Sequence, residues 1–370
     1  MDGIRMPTYP SSPGVKTVTN GSDATVQIML LLLLRVAYVT AASSPLLPFG
    51  VVDTHVHLAS PTNGINYTWM RDPATLDPPE QCPCRPPCAC NMTIPEYQQA
   101  SAAWEVSDIV FCEVSARPDD WLNEVQWVQS LADGLPSGNG RPRIGAIMAQ
   151  PPPGFGTSPV SNYSHHLDRL QATVPLVRGV RTTLAQHTPN KLAALKELGR
   201  RNLVVDFLSD VVTGVPFEII RDTPGVKYQI EHLGCGCGVA ALWANQTKFR
   251  QWQAAIKQLA TLPNIQALQV GGTMQGFHSK EAVDADTIRP FVAAVVQAFG
   301  FDRLVFEANW FFCNFLPDGP AKGMDGYGTW SAMLVPMLTD LGATAGDLEK
   351  LFRTNAMRAY NIGPSASQWE

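Results

Sequence analysis

A single-domain α/β fold, a (β/α)8 TIM barrel, is what the sequence predicts, and three observations predict it. From residue 49 onward, short apolar runs alternate with helical patterns, as in repeated β-α units around a parallel sheet. The chain has 370 residues, enough for one barrel of about 250 residues with insertions. No Gly-rich phosphate fingerprint follows the first strand, which weighs against the alternative of an open, doubly wound sheet.

The stretch 1–48 precedes the barrel. Residues 1–25 are rich in Ser, Thr, Gly and Pro and read as disordered. The apolar segment 26–42, interrupted by Gln27 and Arg35, is short for a membrane span and fits a signal-peptide core, with Thr40, Ala41, Ala42 and Ser43 as a cleavage zone. A signal anchor and a helix packed on the barrel are the alternatives. The sequons at Asn20, Asn66, Asn91, Asn162 and Asn245 lean toward a glycoprotein of the secretory pathway or the cell exterior. A cytoplasmic protein is the other option.

The barrel is expected over 49–363. Its strands are read at 50–56, 108–115, 143–149, 177–183, 202–208, 226–231, 264–270 and 303–308. Helical patterns lie between them, among them Trp121–Leu131, Lys191–Arg200, Phe249–Ala260 and Ile288–Phe299. The loop 58–95 after the first strand is long and rich in Pro and Cys, and should lie over the C-terminal mouth of the barrel. It carries Cys82, Cys84, Cys88 and Cys90, half of the chain's 8 cysteines. Disulfides are the favoured reading of this cluster, because zinc sites ordinarily space their cysteine pairs by two residues rather than one. A soft-metal site or free thiols are the other readings.

Alternation assigns the faces of the strands. In Val51-Val52-Asp53-Thr54-His55-Val56-His57, the residues Asp53, His55 and His57 should share the interior face, with Val52, Thr54 and Val56 opposite. Two imidazoles at i and i+2 can bind one metal ion or polarise one carbonyl. His232 closes the sixth strand just before Leu233-Gly234, at the catalytic rim. On the eighth strand Val305, Glu307 and Asn309 share the inner face. Arg181 ends the fourth strand and can grip a substrate oxygen, or else serve a structural ion pair with Glu113 or Asp206. His165, His166, His187 and His278 fall in loop or helix segments and are not expected to act. The net charge of -5, with its cations scattered, gives no footprint for nucleic acid. The expected partner is a small-molecule substrate.

The order of these motifs resembles a known family. Asp53-x-His55-x-His57, Glu124-x-x-Trp127-Val128, Arg178-Gly-Val-Arg181, Glu231-His232-Leu233-Gly234 and Arg303-Leu304 through Asn309-Trp310 are similar to the amidohydrolase-related, lactonase-like metal-dependent hydrolases. Asn355-Ala356 through Tyr360 resembles that family's closing helix. The resemblance implies a barrel hydrolase acting on sugar or pyrone-type lactones, with decarboxylases among its relatives. His55, His57 and His232 would bind one divalent metal, zinc or manganese, or polarise the carbonyl directly in metal-free chemistry. Arg181, Gln269 and Trp310 would contact substrate. Two positions depart from the pattern. Asn309 stands where an Asp would take the proton of the attacking water, and Gln269 stands where a Lys is frequent. An amide cannot act as a base, so Glu307 or Glu113 is expected to supply one. A catalytically impaired barrel kept for binding or structure, and a metal-dependent decarboxylase, are the competing readings.

Overall fold

The computed structural model describes residues 47–67, 69, 91–135, 142–235, 239–271, 285–311 and 326–363. Segment 26–42, the four loop cysteines and His278 lie outside these residues. Leu47, the first described residue, is buried.

Eight parallel strands lie side by side in chain order: β1 (Val51–Val56), β2 (Val106–Cys112), β3 (Arg143–Ala149), β4 (Val177–Thr182), β5 (Val204–Phe207), β6 (Tyr228–Ile230), β7 (Ile265–Val270) and β8 (Leu304–Phe306). Each expected strand exists, and several are shorter because the residues beyond them turn into the rim. The helices of the outer layer are α1 (Ile94–Ala100), α2 (Trp121–Gly134), α3 (Ser164–Thr173), α4 (Pro189–Arg200), α5 (Val215–Arg221), α6 (Val239–Trp243), α7 (Gln246–Ala260), α8 (Ala285–Phe299) and α9 (Gly326–Asp340), followed by α10 (Ala345–Glu349) and α11 (Asn355–Ala359). Their apolar stripes explain their seats. On α7, Phe249, Trp252, Ile256 and Leu259 recur at helical spacing and are the buried residues, while Asn245 caps the first turn. Helix α1 falls on what reads from sequence as the end of a loop. Its start is encoded by Thr93 and Glu96, whose carboxylate accepts the Thr93 backbone N–H, with Pro95 in the first turn.

The apolar residues separate into two sets. Ile109, Phe111, Ile147, Val180, Val205, Leu268 and Phe306 face the helices. Val52, Val110, Cys112, Ala146, Met148, Val204, Ala267 and Val305 fill the barrel interior, together with Ala356, Ala359, Tyr360 and Ile362. The carboxyl-terminal segment is therefore the floor of the barrel.

Alternation fails on β1. Val52 belongs to the interior set and Val56 to the outer one, whereas strict alternation would place them on one face. The pairing of β1 with β2 shifts register between Asp53 and Val56, and this irregularity resets the phase. Asp53 therefore does not join His55 and His57 as expected. Its Oδ2 accepts the Tyr97 hydroxyl of α1 at 2.9 Å, and its Oδ1 accepts the backbone N–H groups of His55 (3.2 Å) and Ala308 (3.0 Å). Thr54 Oγ1 donates to the Phe306 carbonyl at 2.8 Å. The seam between β1 and β8 is thus held by side chains, together with the backbone bond from His57 to the Trp310 carbonyl at 2.6 Å.

Candidate active site

His55, His57, His232, Glu307, Asn309 and Gln269 come together, all buried, at the C-terminal ends of β1, β6, β7 and β8. The His55 and His232 rings are 4.6 Å apart between centroids, and the His55 and His57 rings 4.8 Å. Burial holds His55 and His57 well below the ordinary histidine range, and pushes His232 down to about 4. All three are neutral imidazoles at neutral pH.

Hydrogen-bond partners assign their tautomers. His57 Nδ1 faces the Cys112 carbonyl at 2.9 Å, so it carries the proton. His55 Nδ1 faces Gln269 Oε1 at 3.1 Å and Glu307 Oε2 at 3.4 Å, so it carries one too. The two Nε2 atoms, 3.2 Å apart, then present lone pairs to each other. A cation between them would satisfy both lone pairs. His232 Nδ1 lies 2.8 Å from Glu307 Oε1, and its Nε2 accepts from the Asn309 amide at 3.2 Å. Both His232 (φ 52) and Asn309 (φ 55) have left-handed backbone. Such strain costs about 1–3 kcal/mol per residue and persists where the surroundings dictate it.

The carboxyl groups outnumber the cations. Burial, reinforced by Glu231, raises Glu307 well above the ordinary carboxylate range. Arg181 gives Nε and one terminal nitrogen to Glu231 at 2.9–3.0 Å, and its other terminal nitrogen reaches Glu113 at 3.2 Å. Glu113 also accepts the Ser115 N–H at 2.8 Å. The partner of Arg181 missed in the sequence is Glu231, which alternation alone would have placed on the same inner face. Gln269 is fully buried, and both ends of its amide are engaged, Nε2 with Tyr360 Oη (2.7 Å) and Asp206 (3.3 Å). The Trp310 ring packs against Tyr97 and Phe311 and is 1% exposed.

These residues fit a divalent cation. The facing Nε2 pair of His55 and His57 has the spacing of two ligands of one zinc ion, each bonded at about 2.0–2.1 Å. His55, His232 and Glu307 also present donor atoms within 4.8 Å of one another, as do His55, Cys112 and Glu231. These are the closed donor groups among the described residues; His57 joins through its pairing with His55.

Comparison with known proteins bears on the family and the fold. A family model described as amidohydrolase matches residues 52–362. The uncharacterised protein y4mH of Sinorhizobium fredii is 27% identical over 261 residues, covering 68% of this chain and 80% of that one. An L-rhamnono-gamma-lactonase of Scheffersomyces stipitis is 22% identical over 353 residues, 85% of this chain and 99% of that protein. Among solved structures, an amidohydrolase of Burkholderia multivorans, crystallised with bound zinc, superposes with a TM-score of 0.63 at 17% identity, over 85% of this chain and 100% of that one.

Proposed function

Taking as premise that this chain belongs to the amidohydrolase family, we propose that it hydrolyses a small cyclic ester, a lactone, at the mouth of the barrel. The observation that carries the reading is the group of three neutral histidines around one buried carboxyl, Glu307. The lactonase among its relatives supports the same substrate class. His55 and His57 would hold one divalent ion, zinc or manganese, through their facing Nε2 atoms, which leaves His232 and Glu307 to the proton transfers. When bound, it would act as a Lewis acid toward the ester carbonyl.

The chain's own residues supply the proton transfers. Asn309 cannot be the base, and Glu113 is committed to Arg181 and Ser115. Glu307 with His232 is the remaining pair, arranged as a carboxyl group behind an imidazole. A water molecule replaces the Asn309 amide at His232 Nε2 and gives its proton there as its oxygen bonds to the acyl carbon. Glu307 stabilises the imidazolium through Nδ1. The ring C–O bond then breaks, the departing oxygen takes the proton from Nε2, and a hydroxy acid is released. Water is added across one bond, and the pair returns to its starting state. Arg181 contributes through Glu231 and Glu113, whose positions it fixes at the rim.

The test is a panel of uncharged five- and six-membered lactones followed by acid release, with and without zinc or manganese. Turnover is expected, and Glu307→Gln and His232→Asn should each lower kcat by at least about a hundredfold, in line with the loss of a general base. No turnover of any lactone under either condition, by a folded protein, would end the lactonase reading. Secretion belongs to the same reading: Asn66, Asn91, Asn162 and Asn245 are exposed. Glycosidase treatment of protein made in a eukaryotic secretory pathway should shift its mass.

A further inference from the structure

We propose that Gln269, Tyr360 and Asp206 are positioning residues that fix the tautomer of His55, and so aim its Nε2 lone pair at the reacting space. The proposal rests on the reading of His55 as a group that acts there. A neutral imidazole with partners on both sides can carry its proton on either nitrogen, and only one form leaves Nε2 as a donor of electrons. The group that decides is an amide, and an amide can itself be turned end for end.

Three fully buried residues remove that freedom. Gln269 Nε2 lies 2.7 Å from Tyr360 Oη and 3.3 Å from Asp206 Oδ2, and Tyr360 Oη lies 3.0 Å from the same carboxyl oxygen. A tyrosine hydroxyl can donate or accept, so Tyr360 alone would not choose the direction of the amide. Asp206 Oδ2 does choose. Burial raises the Asp206 carboxyl well above the ordinary carboxylate range, and its unpartnered Oδ1 is the oxygen open to a proton, so Oδ2 accepts from Tyr360 and leaves the Tyr360 oxygen to accept from Gln269. Turning the amide over would place the Gln269 oxygen against Oδ2, lone pair against lone pair. The NH2 end is therefore held toward the floor of the barrel, and Oε1 is held toward His55 Nδ1 at 3.1 Å. Only Nδ1–H satisfies that oxygen. Tyr360 comes from the carboxyl-terminal floor, so the tautomer of a rim histidine is set from beneath, across strands far apart in sequence. The strand-seven Gln269, expected from sequence to contact substrate, is assigned here to orienting His55.

One other group could do the same work. Glu307 Oε2 lies 3.4 Å from His55 Nδ1 and forms no hydrogen bond of its own. The experiment separates the two. Full-length chain labelled with 15N-histidine and treated with a chelator would be studied by two-bond 1H–15N correlation, with the His55 signals identified by their loss in His55→Gln. The wild type should show His55 with its proton on Nδ1. Gln269→Leu should move that proton to Nε2, where His57 accepts it, and Tyr360→Phe should give a mixture. The His232 signals, governed by Glu307, should stay unchanged in both variants and report an intact fold. In the lactone assay, Gln269→Leu should lower kcat about tenfold or more with KM little changed. An Nε2–H form in the wild type, or an unmoved Nδ1–H form in Gln269→Leu with His232 unperturbed, would overturn the proposal. The spectra need no turnover, so a failed lactone screen leaves this result standing or falling by itself.

Discussion

A single buried side chain can carry a measurable share of the pH dependence of stability, and Glu124 on α2 is the clearest instance. It is fully buried, its Oε1 accepts the Val114 N–H at 3.3 Å, and its Oε2 has no hydrogen-bond partner. Burial, followed by repulsion from Glu113, raises it well above the ordinary carboxylate range. In the unfolded chain a Glu titrates near about 4.3. The folded state thus binds the extra proton, and its stabilisation is complete below about pH 4.3 and lost as pH climbs toward the folded pKa. Glu124→Gln cannot ionise, so its urea midpoint should fall less between pH 5 and pH 8 than that of the wild type. At pH 8 the variant should be the more stable of the two, and the difference should vanish toward about pH 4. Parallel slopes would mean that Glu124 is already ionised in the folded protein. At this scale much of the site was legible. His55, His57, His232 and Glu307 follow from alternation on strands and from burial of polar residues that need a reason to be there. The bond from Gln269 to Tyr360 was not, because no local pattern connects residues 91 positions apart.

At the scale of elements, the seam between β1 and β8 is the place where a strand's local irregularity serves the whole ring. Strict alternation misplaces Asp53, since a register shift leaves no trace in the order of polar and apolar residues. Once displaced, Asp53 and Thr54 take over bonds that a regular ladder would make with backbone atoms. Asp53→Ala would orphan two buried N–H groups, at about 1–3 kcal/mol each, and Thr54→Val would orphan one carbonyl. Chemical denaturation should show Asp53→Ala as the more costly of the two. Hydrogen exchange should show the Ala308 amide losing protection in that variant ahead of the amides of β4 and β5. Equal protection across all strands would mean that the seam is held by the His57–Trp310 bond alone. Helix α1 was missed for a related reason. It is short, with Ile94, Tyr97 and Ala100 as its buried residues, and its cap was the only signal strong enough to find it.

For the molecule as a whole, strand order and fold class were legible because each β-α unit repeats the same change of hydrophobic period, and errors in single boundaries do not alter the count. What filled the barrel was not legible. Interior positions are shared between eight strands and a segment that follows them all, so no single strand reveals its contact. Ala356, Ala359, Tyr360 and Ile362 complete the apolar interior. A chain stopped after Thr354 should therefore lose its cooperative thermal transition and its near-ultraviolet circular dichroism, while keeping much of its helical signal. A sharp transition in that truncated chain would show that the strands close without their floor.

That floor also has a meaning in time. A chain leaving the ribosome makes its strands in the order in which they pair, and domains tend to organise from the amino terminus as synthesis proceeds. Tyr360 is made after all eight strands. A nascent chain can thus carry His55, His57 and His232 well before anything holds Gln269 in the orientation that fixes the His55 tautomer. A message cut short upstream of Tyr360 would yield the three histidines without the contact that orients Gln269.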